Sequence, residues 1–170
     1  INAGGLGYST GEPFTDPRPK GKDGKPYGPG PTAFEGLYKH GNKTVLAIGT
    51  NGTTALESPA WIDYGSTPVF VRTINIRNVI TSHYVRLAPE SMNVVVQGDG
   101  KLINEKGDWV LEMPNHIREV KARVFLSKCD SGSLNTLAAN FKEPMDLTPL
   151  TKGGPAQWPQ TVTTKSVAGE

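Results

Sequence analysis

Three histidines are the residues of this chain best suited to bind a transition metal. His40, His83 and His116 lie far apart in the sequence, and none belongs to a His-x-His or His-x-x-x-His pattern. A blue copper site would need a cysteine followed closely by a histidine, and no histidine follows Cys129. The sequence therefore predicts no metal ion and no cofactor. A zinc site assembled from the three distant histidines stays open as an alternative.

Cys129 is the single cysteine, which excludes an intrachain disulfide bond. It stands in a polar segment where Lys128 would favour a thiolate and Asp130 would oppose one. No pattern of a nucleophilic hydrolase surrounds it, and Gly-x-Ser-x-Gly is absent. We therefore predict no catalytic residue, and we expect a protein that acts by binding rather than by catalysis.

Carboxylates cluster around one predicted hairpin, at Glu105, Asp108 and Glu112, and Asp63 stands beside two aromatic residues. A glycosidase needs two carboxyl groups across a cleft that also holds aromatic platforms for the sugar. Acidic residues in hairpins more commonly discourage association between sheet edges. A small hydrolase is an alternative that these residues leave open.

Four aromatic residues, Trp61, Tyr64, Tyr84 and Trp109, could form a platform on the face of a sheet. Such a platform would serve a secreted carbohydrate-binding module, which is a second alternative. Tryptophans on the strands of a small two-sheet domain usually fill the core instead. We therefore expect core positions for these residues.

Short strands separated by turn signals position these side chains. Residues 44–50 are β-branched and apolar, Asn51-Gly52 favours a tight turn, and residues 53–57 are the expected return strand. A further strand is expected at residues 61–64. Alternation is clearest in residues 68–79, where Ile74 and Ile76 share one face, opposite Asn75 and Arg77. Two faces of such different polarity predict an antiparallel sheet with one side in contact with water.

Later strands are expected at residues 92–97 and 101–104, joined as a hairpin by Gly98-Asp99-Gly100, and then at residues 109–113 and 117–126. About eight or nine short strands with turns every ~8–12 residues are typical of an all-β domain. We predict an antiparallel β-sandwich, immunoglobulin-like or jelly-roll, over residues 33–140. One helical turn is expected at residues 133–140, capped by Ser131 or Ser133.

Two arms, residues 1–32 and residues 141–170, flank this core. The first holds eight glycines and six prolines, and the second holds four prolines. Such segments bury little apolar surface of their own, and proline favours extended geometry. We expect extended arms whose apolar side chains dock on neighbouring subunits, namely Leu6, Tyr8, Phe14, Tyr27 and Trp158. Packing of these side chains on their own domain is the other interpretation.

The expected partners are other protein subunits, of the same or a different chain. A net charge of +2 gives no basis for nucleic-acid binding, and no run approaches the ~18 apolar residues of a membrane span. Ordering long arms costs roughly 1–2 kcal/mol per residue, which favours a permanent, oligomeric assembly. We expect a structural subunit of a filament or capsid, or an accessory subunit of a periplasmic redox enzyme complex.

A secreted, extracellular, periplasmic or virion location is expected, because the sequence begins at Ile1. Removal of a signal peptide or cleavage of a virion precursor would produce such a start. Asn42-Lys43-Thr44 and Asn51-Gly52-Thr53 match the N-glycosylation pattern. Asn42 and Asn51 are therefore candidate glycan acceptors.

Overall fold

The structure is a computed structural model, and it describes residues 7–10, 22, 24, 32–50, 52–79, 81–115 and 119–152. The described chain forms strands β1 (Tyr8–Thr10), β2 (Thr32–His40), β3 (Lys43–Thr50), β4 (Thr53–Tyr64), β5 (Thr67–Arg77), β6 (His83–Pro89), β7 (Asn93–Gly98), β8 (Lys101–Glu105), β9 (Asp108–Met113) and β10 (Glu119–Ser127). An α-helix, α1 (Ser131–Ala139), and a 3-10 helix (Thr148–Thr151) follow. Neither helix has the length and apolar character needed to cross a bilayer.

The strands form two antiparallel sheets, which confirms the prediction of an all-β domain. The smaller sheet has the order β1-β6-β9-β8, and the larger has the order β2-β3-β4-β5-β10-β7. The chain passes between the sheets after β5, since β5 and β7 lie in the larger sheet and β6 and β8 in the smaller. The last two strands pair with the strands on either side of this crossing: β9 pairs with β6 in the smaller sheet, and β10 pairs with β5 in the larger sheet. The β6–β9 pair is thus nested within the β5–β10 pair.

The hairpin predicted across Gly98-Asp99-Gly100 is wrong, because this turn carries the chain from one sheet to the other. β7 pairs with β10, and β8 pairs with β9. Gly98 and Gly100 both have positive φ, at 84° and 106°. Glycine serves hairpins and crossings between sheets alike, so the local sequence does not distinguish them. The hairpin predicted at Asn51-Gly52 is confirmed, since β3 pairs with β4.

One apolar core lies between the two sheets. Val85 and Leu111 of the smaller sheet are fully buried in it, and so are Ile74 and Ile76 of the larger sheet. The alternation at residues 74 and 76 therefore marks the core face of β5, as the sequence predicts.

Part of the other face of the larger sheet is covered, whereas the sequence predicts contact with water; Arg77 on this face is exposed, as predicted. Leu134 and Leu137 of α1 pack with Phe125 of β10 in a second apolar cluster. The helix begins after Asp130, whose carboxylate accepts the Ser133 N–H at 2.9 Å. The cap is therefore Asp130, one residue before the expected Ser131.

Residues 141–147 cover the neighbouring part of this face. Asn75 Nδ2 donates to the Met145 carbonyl at 3.1 Å, and Asn75 Oδ1 accepts the Leu147 N–H at 2.5 Å. Asn75 is 2% exposed, and Leu147 is fully buried. The polar residue at position 75 thus bonds to another part of the chain rather than to water.

A buried ionic network crosses the core. The Arg72 guanidinium of β5 binds Glu57 of β4 through both carboxylate oxygens, at 2.6 and 2.9 Å. From the smaller sheet, the Tyr8 hydroxyl donates to Glu57 Oε2 at 2.5 Å, and the Arg86 carbonyl accepts Arg72 Nη1 at 2.8 Å. Burial alone would raise the pKa of Glu57, but the bonds from Arg72 and Tyr8 outweigh it and lower that pKa. Glu57 is therefore ionised at neutral pH.

Candidate interaction surface

Strand β2 forms an edge of the larger sheet and carries large exposed apolar side chains. Phe34 is 59% exposed, Leu37 is 57% exposed and Tyr38 is 38% exposed. Within the described part of the chain, β3 is the strand that pairs with β2. Because an edge strand presents backbone groups to a further strand, this edge is a place where another chain could add.

A β-bulge places Phe34 and Leu37 on the same face of β2. Residues three apart in a regular strand point to opposite faces. The register with β3 shifts between Phe34 and Gly36, so that Phe34 is opposite Ile48 and Leu37 is opposite Leu46. Ile48 belongs to the core between the sheets. Phe34 and Leu37 therefore lie on the core face of the larger sheet.

Among the described residues, none covers this part of the core face, because the larger sheet extends past the smaller one. β1 is the last strand of the smaller sheet on this side, is three residues long and contacts β3. Ile48 of β3 is 4% exposed, whereas the side chains of β2 beyond it are open to solvent. We define the β2 face as Phe34, Leu37 and the half-buried Leu46.

A second exposed apolar group lies near the end of the β4–β5 hairpin. Trp61 and Phe70 are directly opposite each other, and they are 61% and 36% exposed. Together with Pro68 and Met92 they border a cavity of about 280 Å³. The Trp61 indole N–H donates to Asp63 Oδ1 at 3.1 Å, which holds the ring in place.

Comparisons of this chain with protein families, characterised proteins and solved structures found no match. Its function is therefore inferred from the arrangement of its own described residues.

One of the five side chains predicted to dock on neighbouring subunits is described by the structure. Tyr8 is 1% exposed and lies in the core of its own chain, where it packs as in the alternative interpretation. The other four lie outside the described residues, namely Leu6, Phe14, Tyr27 and Trp158. Of the two candidate glycan acceptors, Asn42 lies exposed in the β2–β3 turn, and Asn51 is outside the described residues.

The histidines occupy unrelated positions. His40 ends β2 and is half-buried, His83 is buried in β6, and His116 lies outside the described residues. Among the residues that the structure describes, no group of three or more histidine, cysteine, aspartate or glutamate side chains is arranged to hold a metal ion.

Burial of His83 makes stability depend on pH. His83 Nδ1 is 2.7 Å from the Thr81 carbonyl, so this nitrogen carries the proton of the neutral ring. Burial lowers the pKa of His83, and the bond to Thr81 opposes part of that effect. The unfolded chain therefore binds this proton at a higher pH than the folded chain, and stability decreases as pH falls below about 6.5.

We expect His83→Asn to reduce the loss of stability between pH 7.5 and pH 5.5. Asparagine keeps an N–H donor for Thr81 but does not titrate. Urea unfolding of both proteins at the two pH values measures this effect, in a range where carboxylates stay ionised. An equal loss in the variant and the wild type would show that His83 is not the group responsible.

Cys129 occupies a structural position. Its side chain is half-buried and packs against the cluster formed by α1 and Phe125. Its backbone N–H donates to Ser127 Oγ at 3.1 Å, and its carbonyl accepts Asn93 Nδ2 at 2.8 Å. These contacts fix the turn that leads from β10 into α1.

The carboxylates around the β8–β9 hairpin are engaged by nearby partners. Asp108 forms an ion pair with Arg86 at 3.1 Å, and Glu105 is 3.6 Å from Lys106. Glu112 accepts the Tyr84 hydroxyl at 3.5 Å. The clustering of these carboxylates is thus explained by ion pairs and a hydrogen bond within the smaller sheet and its β8–β9 turn.

The four aromatic residues do not form one platform. Tyr84 is buried, and the half-buried Trp109 donates its indole N–H to the Met92 carbonyl at 2.9 Å. Tyr64 packs with the cluster on the outer face of the larger sheet, whereas Trp61 is exposed on the other face. The expected core position is thus confirmed for Tyr84 and wrong for Trp61, because β4 extends beyond the smaller sheet.

Sequence reasoning missed the β2 face. A spacing of three between Phe34 and Leu37 fits neither face of a regular strand. The signal that could have revealed it is Gly36, since an isolated glycine in a strand pattern indicates a bulge. A bulge restores both residues to one face.

Proposed function

We propose that this protein is a non-enzymatic assembly subunit whose partner covers the β2 face. The observation that carries the proposal is the exposure of Phe34 and Leu37, 59% and 57%, on the same face that builds the core. Covering apolar surface is favourable by roughly 25 cal/mol per Å². A partner at this place would continue a core that the described part of the chain leaves open at its side.

The edge position of β2 adds a second source of affinity. A strand that pairs with β2 would gain main-chain hydrogen bonds, and its side chains would meet Phe34 and Leu37 at the same time. Strand addition combines both effects, and an extended arm of a neighbouring subunit can supply the strand. The parts of the two predicted arms that lie outside the described residues therefore remain the proposed binding elements.

For the type of two-sheet fold we propose the jelly roll rather than the immunoglobulin-like alternative. Support comes from the nested pairing of β5 with β10 and β6 with β9, in which a long hairpin is wound across both sheets. Jelly-roll domains occur in viral capsids and in lectins. A virion capsid therefore stays among the proposed assemblies, beside extracellular filaments and periplasmic complexes.

We expect Leu37→Asp to weaken self-association of the full chain at least about tenfold, because a carboxylate would have to be buried in an apolar contact. Tyr38→Asp is the matched control, since it places the same charge on the next residue and on the opposite face of β2. Sedimentation velocity over a range of concentrations measures the association, and the expected wild-type mass is well above 18.2 kDa.

Both side chains are exposed, so neither substitution should change the thermal midpoint of unfolding appreciably. A wild-type chain that stays monomeric at every concentration would contradict self-assembly. Equal weakening by the two substitutions would show that the β2 face is not the contact.

A further inference from the structure

A groove of about 420 Å³ lies on the outer face of the larger sheet, beside the segment that follows α1. Ser58 of β4 is directly opposite Thr73 of β5, and Thr73 is directly opposite Arg123 of β10. Residues opposite each other on neighbouring strands share a face, so these three form one polar row across the floor of the groove. Ala60 and Val71 are the next opposite pair on that face, and they give the floor an apolar part. Hydroxyl groups, a cation and apolar surface thus lie side by side.

The Arg123 guanidinium is held in place by two contacts. Its central carbon lies 5.4 Å from the centre of the Phe141 ring, and Nη1 donates to the Lys142 carbonyl at 2.6 Å. The Phe141 ring packs edge-on against Phe125, with 5.2 Å between the ring centres. A guanidinium held in this way presents its remaining N–H groups to a ligand at a small cost in side-chain freedom.

The groove carries positive charge that none of its described lining residues neutralises. Lys43, at the start of β3, also lines the groove, and its ammonium group contacts the uncharged thioether sulfur of Met145 at 3.3 Å. No aspartate or glutamate is among the described lining residues. Burial lowers the pKa of Arg123, and the nearby exposed Glu143 opposes only part of that effect. Charge complementarity therefore favours an anionic ligand.

We propose that this groove binds an acidic saccharide whose carboxylate pairs with Arg123 and Lys43. The hydroxyl groups of the sugar bond to Ser58 and Thr73, and the C–H face of its ring covers the apolar part of the floor. A volume of about 420 Å³ is within the ~300–1,000 Å³ range of small-molecule sites. The groove and the β2 face lie on opposite faces of the larger sheet, so the site is independent of the proposed function.

The floor of the groove disfavours a peptide or a simple anion as the ligand. Each of the strands β4, β5 and β10 pairs with a strand on both sides. No strand edge is therefore free at this place to bond to the main chain of a peptide. An inorganic anion would pair with the two cations, but it would leave the apolar part of the floor uncovered.

Isothermal titration calorimetry of the full chain with short oligomers of galacturonate, glucuronate and mannuronate tests the proposal. Each acid is compared with its methyl ester, which keeps the ring and the hydroxyl groups but removes the negative charge. We expect at least one acid to bind and its ester to bind at least about tenfold more weakly, because the ester loses charge-assisted hydrogen bonds. Absence of binding by all three acids, or equal binding by the esters, would overturn the proposal.

Substitutions inside and outside the groove locate the bound acid. We expect Lys43→Gln and Arg123→Gln each to weaken binding at least about tenfold. Lys43 is exposed, so its replacement should leave folding intact. Arg77→Gln is the matched control, because Arg77 is an exposed arginine of the same face and is not among the lining residues. No loss in either groove variant, or an equal loss in Arg77→Gln, would show that the acid binds elsewhere.

Thr73→Val distinguishes a saccharide from other anions. Valine keeps the shape of threonine but cannot bond to a sugar hydroxyl, so we expect the acid to bind about three- to tenfold more weakly. Inorganic phosphate and a triglutamate peptide, titrated into the wild type, should bind more weakly than the acid. If either binds as tightly as the acid and Thr73→Val has no effect, the groove is a general anion site and the saccharide assignment is wrong.

Discussion

Replacement of Glu57 by glutamine is expected to lower the free energy of unfolding by about 3–5 kcal/mol. The side chains of Arg72 and Glu57 are 11% and 9% exposed, so the substitution leaves a guanidinium in the core without its counter-ion. Arginine cannot shed this charge by deprotonation. The NH2 group of the glutamine would also face the N–H groups of Arg72 and the O–H group of Tyr8, and two donors cannot form a hydrogen bond with each other. Urea unfolding at neutral pH measures the loss.

Two further variants show whether the effect belongs to the buried pair. Glu119→Gln removes an exposed partner of Arg77, at 3.0 Å, and should cost less than about 1 kcal/mol. Glu57→Leu combined with Arg72→Met removes both buried charges and should recover a large part of the loss, because apolar replacement of a buried pair is often neutral or better. If Glu57→Gln costs no more than Glu119→Gln, the network does not hold the two sheets together.

The strands could be predicted from the sequence because the signals that indicate them are local. The Asn51-Gly52 turn and the alternation around Ile74 depend on adjacent residues alone, and both are confirmed. The pairing partners of the strands could not be predicted from such local signals. The pairing of β7 with β10, instead of β8, depends on which sheet the chain enters after Gly98. Similar turn chemistry serves both arrangements.

The burial of polar side chains in the strands was also not predictable from the sequence. Glu57 and Asn75 have the composition of exposed strand positions, but their exposures are 7% and 2%. Each is buried because a distant part of the chain supplies its partner, Arg72 for Glu57 and Leu147 for Asn75. The exposed Phe34 and Leu37 are the reverse case, apolar residues on the core face that the smaller sheet does not reach. Burial of this kind is set by tertiary contacts, which propensity does not encode.

Replacement of Leu147 by alanine is expected to lower the free energy of unfolding by about 2–5 kcal/mol, because a fully buried leucine is lost and a cavity is left. The sequence places the end of the core at residue 140 and predicts an arm over residues 141–170. If that division were correct, position 147 would have little influence on the unfolding of the sheets. The two hydrogen bonds of Asn75 to residues 145 and 147 indicate otherwise.

Leu150→Ala provides the matched control, since Leu150 lies in the 3-10 helix and is only half-buried. The same number of carbon atoms is removed at both positions, so a larger loss at Leu147 reports burial rather than side-chain type. A single unfolding transition that shifts for Leu147→Ala would mean that residues 141–147 unfold together with the sheets. Loss of a separate, earlier transition, with the main one unchanged, would mean that this segment is bound to the sheet but is no part of its cooperative core.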